Sequence, residues 1–347
     1  MAEMDVKLSA GREQIDEFRF RGIHPMILLG TASDLYAGWI GQVYTWDRYE
    51  GRINRRSNSV GGKSFTEEVL PVDSVKEYFE HFPALEIDYT FYAPLLDPDG
   101  NPSRNFHVLR QHAEYIGKAD RVVLKVPQAI SSQKIYRSGR HVENETYLDP
   151  DVFRKRFYEP ALTLLGSSLH AMVFEQEYQR KRDRMPAGRM ASDLDRFFEA
   201  APRDSRYHVE LRTEGYLAEP VFEVLEKHGV GQVLSRWTWL PSLKKQLEKA
   251  GGKVLNAGKQ RIIRLMTPRG MRYEDAYAKA YPFNTLVEDM LQPQMVHETV
   301  EFMQIAVSGN IETTVIINNR AGGNAPLVAR RIVEEFRKNL AMCRTAG

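Results

Sequence analysis

Apolar positions along this chain gather into short, often β-branched runs with no polar alternation. They are Met26–Leu29, Ala84–Asp88, Arg121–Val126, His170–Phe174, Tyr207–Leu211, Val230–Leu234, Arg261–Leu265 and Thr313–Asn318. Such runs suit strands buried on both faces, as in a parallel sheet. The segments between them read as helices. Asp73 stands as an N-cap before the apolar stripe Val75, Tyr78, Phe79 and Phe82. Asn101-Pro102 opens a helix over Ser103–Lys118, with proline where its missing donor is harmless. Pro220–His228 ends at Gly229 and Ser242–Ala250 ends at Gly251-Gly252, glycines that suit left-handed C-caps. Pro326–Asn339 carries Leu327, Ala329, Ile332, Val333 and Phe336 on about one face.

Eight strand–helix repeats predict an α/β fold, a single (β/α)8 TIM-type barrel with long βα-loop insertions. An open doubly wound sheet is the competing arrangement, but no Gly-x-Gly-x-x-Gly follows the first strand and no phosphate loop of the Walker type occurs. The spare length falls in Gln42–Val72, Gln128–Pro150 and Met266–Pro293. Loops this long usually serve as functional covers or are partly disordered. Residues 1–22 read as a polar N-terminal arm and 23–342 as one barrel domain.

Composition changes this picture little. The chain has 347 residues, a formal charge of +2 and 42 % hydrophobic residues, which excludes a disordered chain and a strongly polybasic nucleic-acid binder. The single cysteine, Cys343, forms no internal disulfide and points to a reducing cytoplasm. The polar first twenty residues hold no apolar signal segment, and no run is long enough to span a membrane.

In such a barrel the C-terminal strand ends line the place where eight loops converge. Glu86, Lys125, Glu175, Glu210 and Arg264 interrupt or close otherwise apolar runs, and buried charge needs a partner or a wet site. One reading is a polar pocket. There Glu86, Glu175, Glu210 and Lys125 would be catalytic, and Tyr92, Gln176, Arg212, Arg236, Arg264, Asn318 and Asn319 would hold a ligand. The other reading is a salt-bridge layer that plugs the barrel. No His-Glu-x-x-His, Cys/His cluster or Gly-x-Ser-x-Gly elbow is present, so neither a metal, a cofactor nor a serine nucleophile is expected. Arg48, Arg52, Arg55, Arg56 and Lys63 share a loop with Trp39, Tyr44, Trp46 and Tyr49, which leaves a nucleic-acid surface as an alternative.

At these positions the chain resembles the YecE-like family, domain of unknown function 72. Gly30-Thr31 with Tyr36, Trp39, Gly41 and Tyr44 is similar to the family's opening pattern, and Leu85-Glu86-Ile87 with Thr90-Phe91-Tyr92 to its second strand. Leu124-Lys125-Val126-Pro127, Val209-Glu210-Leu211-Arg212 and Asn318-Asn319 before Gly323-Asn324-Ala325-Pro326 match in order. The resemblance implies a TIM-type barrel and no established reaction; endonuclease-IV-like barrels are a looser analogy. The chain departs from the pattern at Phe174-Glu175-Gln176-Glu177-Tyr178, at Arg236 and at Arg264-Leu265-Met266. The expectation is a cytoplasmic barrel of unassigned reaction, a hydrolase in outline. It would act on a small anionic or sugar- or phosphate-containing ligand by carboxylate acid/base chemistry, without membrane association. The alternative is a non-catalytic barrel that binds nucleic acid or another partner.

Overall fold

A computed structural model describes residues 17–137 and 139–345. Eight parallel strands close into a barrel: β1 (Ile27–Ala32), β2 (Ala84–Ile87), β3 (Arg121–Lys125), β4 (Leu169–Gln176), β5 (Tyr207–Leu211), β6 (Gly231–Arg236), β7 (Gln260–Leu265) and β8 (Glu312–Ile317). β1 pairs with both β2 and β8, so no open edge remains. Closure needs tight contact at one point, because a Cβ on Gly30 of β1 would lie 2.4 Å from the Ala84 carbonyl oxygen of β2.

A helix follows each strand: α1 (Val75–His81), α2 (Arg104–Ala113), α3 (Glu159–Leu165), α4 (Ala187–Ala200), α5 (Glu219–His228), α6 (Leu243–Lys249), α7 (Pro293–Gly309) and α8 (Ala325–Thr345). Their apolar faces pack on the outer faces of the strands in one continuous core. Gly229 ends α5 in the left-handed region, as the sequence predicts. Two start signals act otherwise. Asp73 sits in a 3-10 turn and caps nothing; its carboxylate binds Arg52 at 2.7 Å. The cap of α2 is the Ser103 hydroxyl, which accepts from the Phe106 amide at 3.3 Å, and this helix ends at Ala113 rather than Lys118.

None of the three long loops is structureless. An antiparallel hairpin, Asn54–Val60 with Lys63–Val69, stands after β1, and a shorter one, Lys134–Arg137 with Arg140–Glu143, after β3. The third loop holds the helix Tyr273–Ala280. The expected N-terminal arm lies mostly outside the described residues. Its described end is no arm, since Phe18 and Phe20 are buried and the Phe20 ring meets Phe82 at 4.7 Å.

Inside the barrel the side chains form layers. Val123, Val173, Val233, Ile262 and Ile316 make an apolar middle. Below it, near the strand starts, His170 and His208 are buried, and His170 Nε2 meets the Thr314 hydroxyl at 2.9 Å. His208 fits because its neighbour in register, Gly231, has no side chain; a Cβ there would come within 2.2 Å of the ring. Above the apolar layer, toward the C-terminal mouth, the interior is charged.

Candidate active site

Strand alternation decides which side chains enter the barrel. Residues 173, 233, 262 and 316 face inward, so Glu175, Ser235, Arg264 and Asn318, each two positions on, lie over the same interior. Glu86, Lys125 and Glu210 join them. All of these are at least nine-tenths buried.

They form one network. Arg264 donates from Nε and Nη2 to the two oxygens of Glu86, each at 2.7 Å. Its Nη1 binds Glu210 and stands 3.6 Å from Glu175. Arg212 reaches Glu210 with Nε at 3.0 Å and Glu175 with Nη1 at 2.5 Å. Lys125 Nζ lies 2.7 Å from the other oxygen of Glu175. The Ser235 hydroxyl donates to Glu210 at 2.6 Å. Three carboxylates thus face three cations, and the layer is neutral as a whole. Pairing at this depth avoids the cost of an isolated buried charge, which reaches several kcal/mol.

The charges follow from these contacts. Burial would raise the pKa of Glu175, but Arg212, Lys125 and Arg264 outweigh it and hold the carboxyl well below its ordinary value. Burial would lower that of Arg264, yet Glu210, Glu86 and Glu175 keep it firmly cationic. Burial pushes Glu86 up, against the pull of Arg264.

The upper edge of the network differs from its base. Lys125 Nζ lies 4.0 Å from the centre of the Phe91 ring, and the Arg212 guanidinium 4.2 Å from that of Trp237. A third cation, Arg320 after β8, lies 4.3 Å from the Tyr273 ring. Trp237 and Tyr273 are neighbours at 6.4 Å. Tyr92, Tyr178 and Trp239 are exposed, the last two 6.3 Å apart.

Not every expected ligand residue reaches this place. Arg236 is outward-facing: it sits between Ser235 and Trp237, which face in, and its Nη2 donates to Gln292 at 2.5 Å. Gln176 also points away, donating to the Ser131 carbonyl at 3.0 Å and accepting from the Tyr147 hydroxyl at 3.2 Å. Asn319 accepts from the Trp39 indole at 3.1 Å and from the Ala325 amide at 2.8 Å, which seats α8. Asn318 caps the turn before α8 through the Arg320 amide at 3.0 Å. Phe91 and Arg320 stand at strand ends that the sequence already marks, whereas Trp237 and Tyr273 do not figure among the expected site residues. Alternation from Ser235 points to Trp237; nothing local marks Tyr273, which lies in a long loop.

The basic loop after β1 is compensated by acids. Arg48 pairs with Glu77 at 3.3 Å, Arg52 with Asp73 at 2.7 Å, Arg55 with Glu68 at 2.9 Å and Arg56 with Glu67 at 2.6 Å. Trp39, Tyr44 and Tyr49 are buried, while Trp46 is exposed. A cleft of about 660 Å³ lies beneath this hairpin, lined in part by Tyr36, Arg56, Glu67 and Tyr281, apart from the charged network. Among the described residues there is no cluster of His, Cys, Asp and Glu placed to hold a metal ion, and no helix long and apolar enough to cross a membrane.

Fold and site define a TIM-type barrel whose C-terminal mouth is closed from below by a paired charge layer. The family model described as protein of unknown function DUF72 matches residues 55–346, and the chain belongs to that family. Its fold is similar to that of a DUF72 family protein of Enterococcus faecalis V583, at 16% identity and a TM-score of 0.54, covering 90% of this chain and 96% of the other. A DUF72 family protein of Thermotoga maritima MSB8 is similar at 14% identity and a TM-score of 0.53, covering 91% and 99%. No curated protein matches the chain.

Proposed function

We propose that this barrel is an enzyme that takes a small anionic ligand, bearing a sugar or phosphate, at its C-terminal mouth and acts on it by carboxylate acid/base chemistry. The observation that carries this reading is the set of three mouth cations, Lys125, Arg212 and Arg320, each laid on an aromatic face. Arg212 spends Nε and Nη1 on Glu210 and Glu175 and has Nη2 left to offer, whereas Arg320 Nε is buried without a hydrogen-bond partner, so these two guanidinium groups retain donors for an anion. The exposed rings of Tyr92, Tyr178 and Trp239 add surfaces on which a sugar can pack. Beneath them Glu210, fixed in turn by Arg264 beside Glu86, pairs with Arg212. Glu175, kept ionised, orients Lys125 and Arg212; held so far down it is a weak base and is poorly suited to give a proton.

Isothermal titration with sulfate and with a panel of sugar phosphates and sugar acids tests the reading. At least one should bind, and Arg212→Met should weaken it about tenfold or more, equivalent to about 1.4 kcal/mol. Binding that ignores this substitution, or none across the panel, would count against an anion seat.

A further inference from the structure

If Glu175 cannot supply a proton, the proposed chemistry lacks an acid. Two carboxylates outside the paired network stand where one is needed. β1 and β2 run side by side with Ala32 opposite Glu86, and the Ser33 amide donates to the Glu86 carbonyl at 3.0 Å. The next residues of these two strand ends include Asp34 and Asp88. Among the described residues neither carboxylate has a cation within ion-pair distance, unlike those of Glu86, Glu175 and Glu210. Asp34 is 3 % exposed, and its Oδ2 is buried with no hydrogen-bond partner. Asp88 is half-buried.

We infer that Asp88 is the proton-exchanging group of the mouth and that Asp34, buried behind it, stores the proton it exchanges. This inference rests on the mouth being a ligand site. An orphaned carboxylate oxygen beside a second acid is costly when ionised and satisfied when a proton is shared. Burial, and then the charge of Asp88, raise Asp34 to about 7, so its carboxyl is only partly ionised at neutral pH. Tyr44, Tyr78 and Tyr89 surround Asp34 closely enough to feel its charge. Tyr36 and Tyr92 feel Asp88, and Arg56 is a cation that also feels it. In a hydrolytic step the pair gives its proton to the departing oxygen as the bond to that oxygen breaks. It recovers one from the water whose oxygen forms the new bond, so the proton count is restored without oxidant or reductant.

The test follows the carboxyl carbons of the whole protein by NMR during a pH titration, with aspartate labelled at Cγ. One resonance, absent from Asp34→Asn, should titrate near neutrality, and Asp88→Asn should lower its midpoint by about one unit or more. A midpoint for Asp34 in the ordinary carboxylate range, or one unmoved by Asp88→Asn, overturns the inference. Calorimetry with sulfate, in two buffers of different ionisation heat, adds a second readout. Binding should take up protons in the wild type, and Asp34→Asn should bind with that uptake lost. Equal uptake in both proteins also overturns the inference. Absence of sulfate binding in the wild type overturns the anion seat instead, and the carboxyl titration then decides on the pair alone.

Discussion

The mouth and the floor of this barrel bury polar groups in opposite ways. At the mouth, Lys125, Arg212 and Arg264 meet Glu86, Glu175 and Glu210 at ion-pair distance, and Glu175 is held ionised by them. On the floor, His170 has Glu312 3.8 Å away and bonds the Thr314 hydroxyl, and among the described residues no carboxylate pairs with His208. Burial lowers each imidazole to about 4, with Arg121 adding to the effect on His170, and both remain neutral at physiological pH. A closed barrel can therefore hold polar residues at either end, by pairing or by discharge. Asp34 is the exception that makes the contrast useful: it lies at the mouth but follows the logic of the floor.

The largest effect should come from breaking the pairing. Arg264→Met leaves Glu86 without its bidentate partner and Glu210 short of one, and should cost about 5 kcal/mol in urea unfolding. A loss under about 1 kcal/mol would mean that the layer is wetter than its burial implies.

Next comes the group at the mouth that is discharged. The folded pKa of Asp34 lies above its unfolded value of 3.8, so its favourable contribution is present below that value and is lost as pH rises through about 7. Asp34→Asn removes this loss. The variant should be more stable than the wild type by up to about 4 kcal/mol at mildly alkaline pH, and the gain should vanish toward acid. A gain independent of pH would show that the carboxyl is not what titrates.

The floor should respond with the opposite sign. Each histidine has a folded pKa below its unfolded value of 6.5, so its contribution is present above 6.5 and is lost as pH falls toward about 4. That amounts to on the order of 3 kcal/mol for each ring. Comparing His208→Gln with the wild type across this window should show a flatter fall in stability for the variant. Parallel curves would place the acid sensitivity elsewhere.

Much of this architecture is legible along the chain. All eight barrel strands fall on expected apolar runs, although the ends shift. β1 continues through Gly30-Thr31-Ala32, which lacks an apolar signature and is strand because Gly30 lets β2 approach. β4 extends to Glu175 and Gln176, polar residues that read as its end but pair in register with Glu210 and Leu211. The charged site was legible as a set of residues and less so as a surface. Placing β6 as Val230–Leu234 left Arg236 as a mouth residue, whereas a shift of one position turns a side chain to the other face. Ser235 and Trp237 took the inward places.

By itself, then, the order of residues determined an alternation of strands and helices with seven candidate charges at the carboxyl ends of the strands, because the periodicity of apolar positions is a local property. Only the tertiary structure decided who neutralises whom. Arg264 finds Glu86 across 178 residues and across the barrel interior, while no cation comes within ion-pair reach of Asp34 or Asp88 among the described residues. Electrostatic partnership depends on distance in space, which closure sets and sequence separation does not.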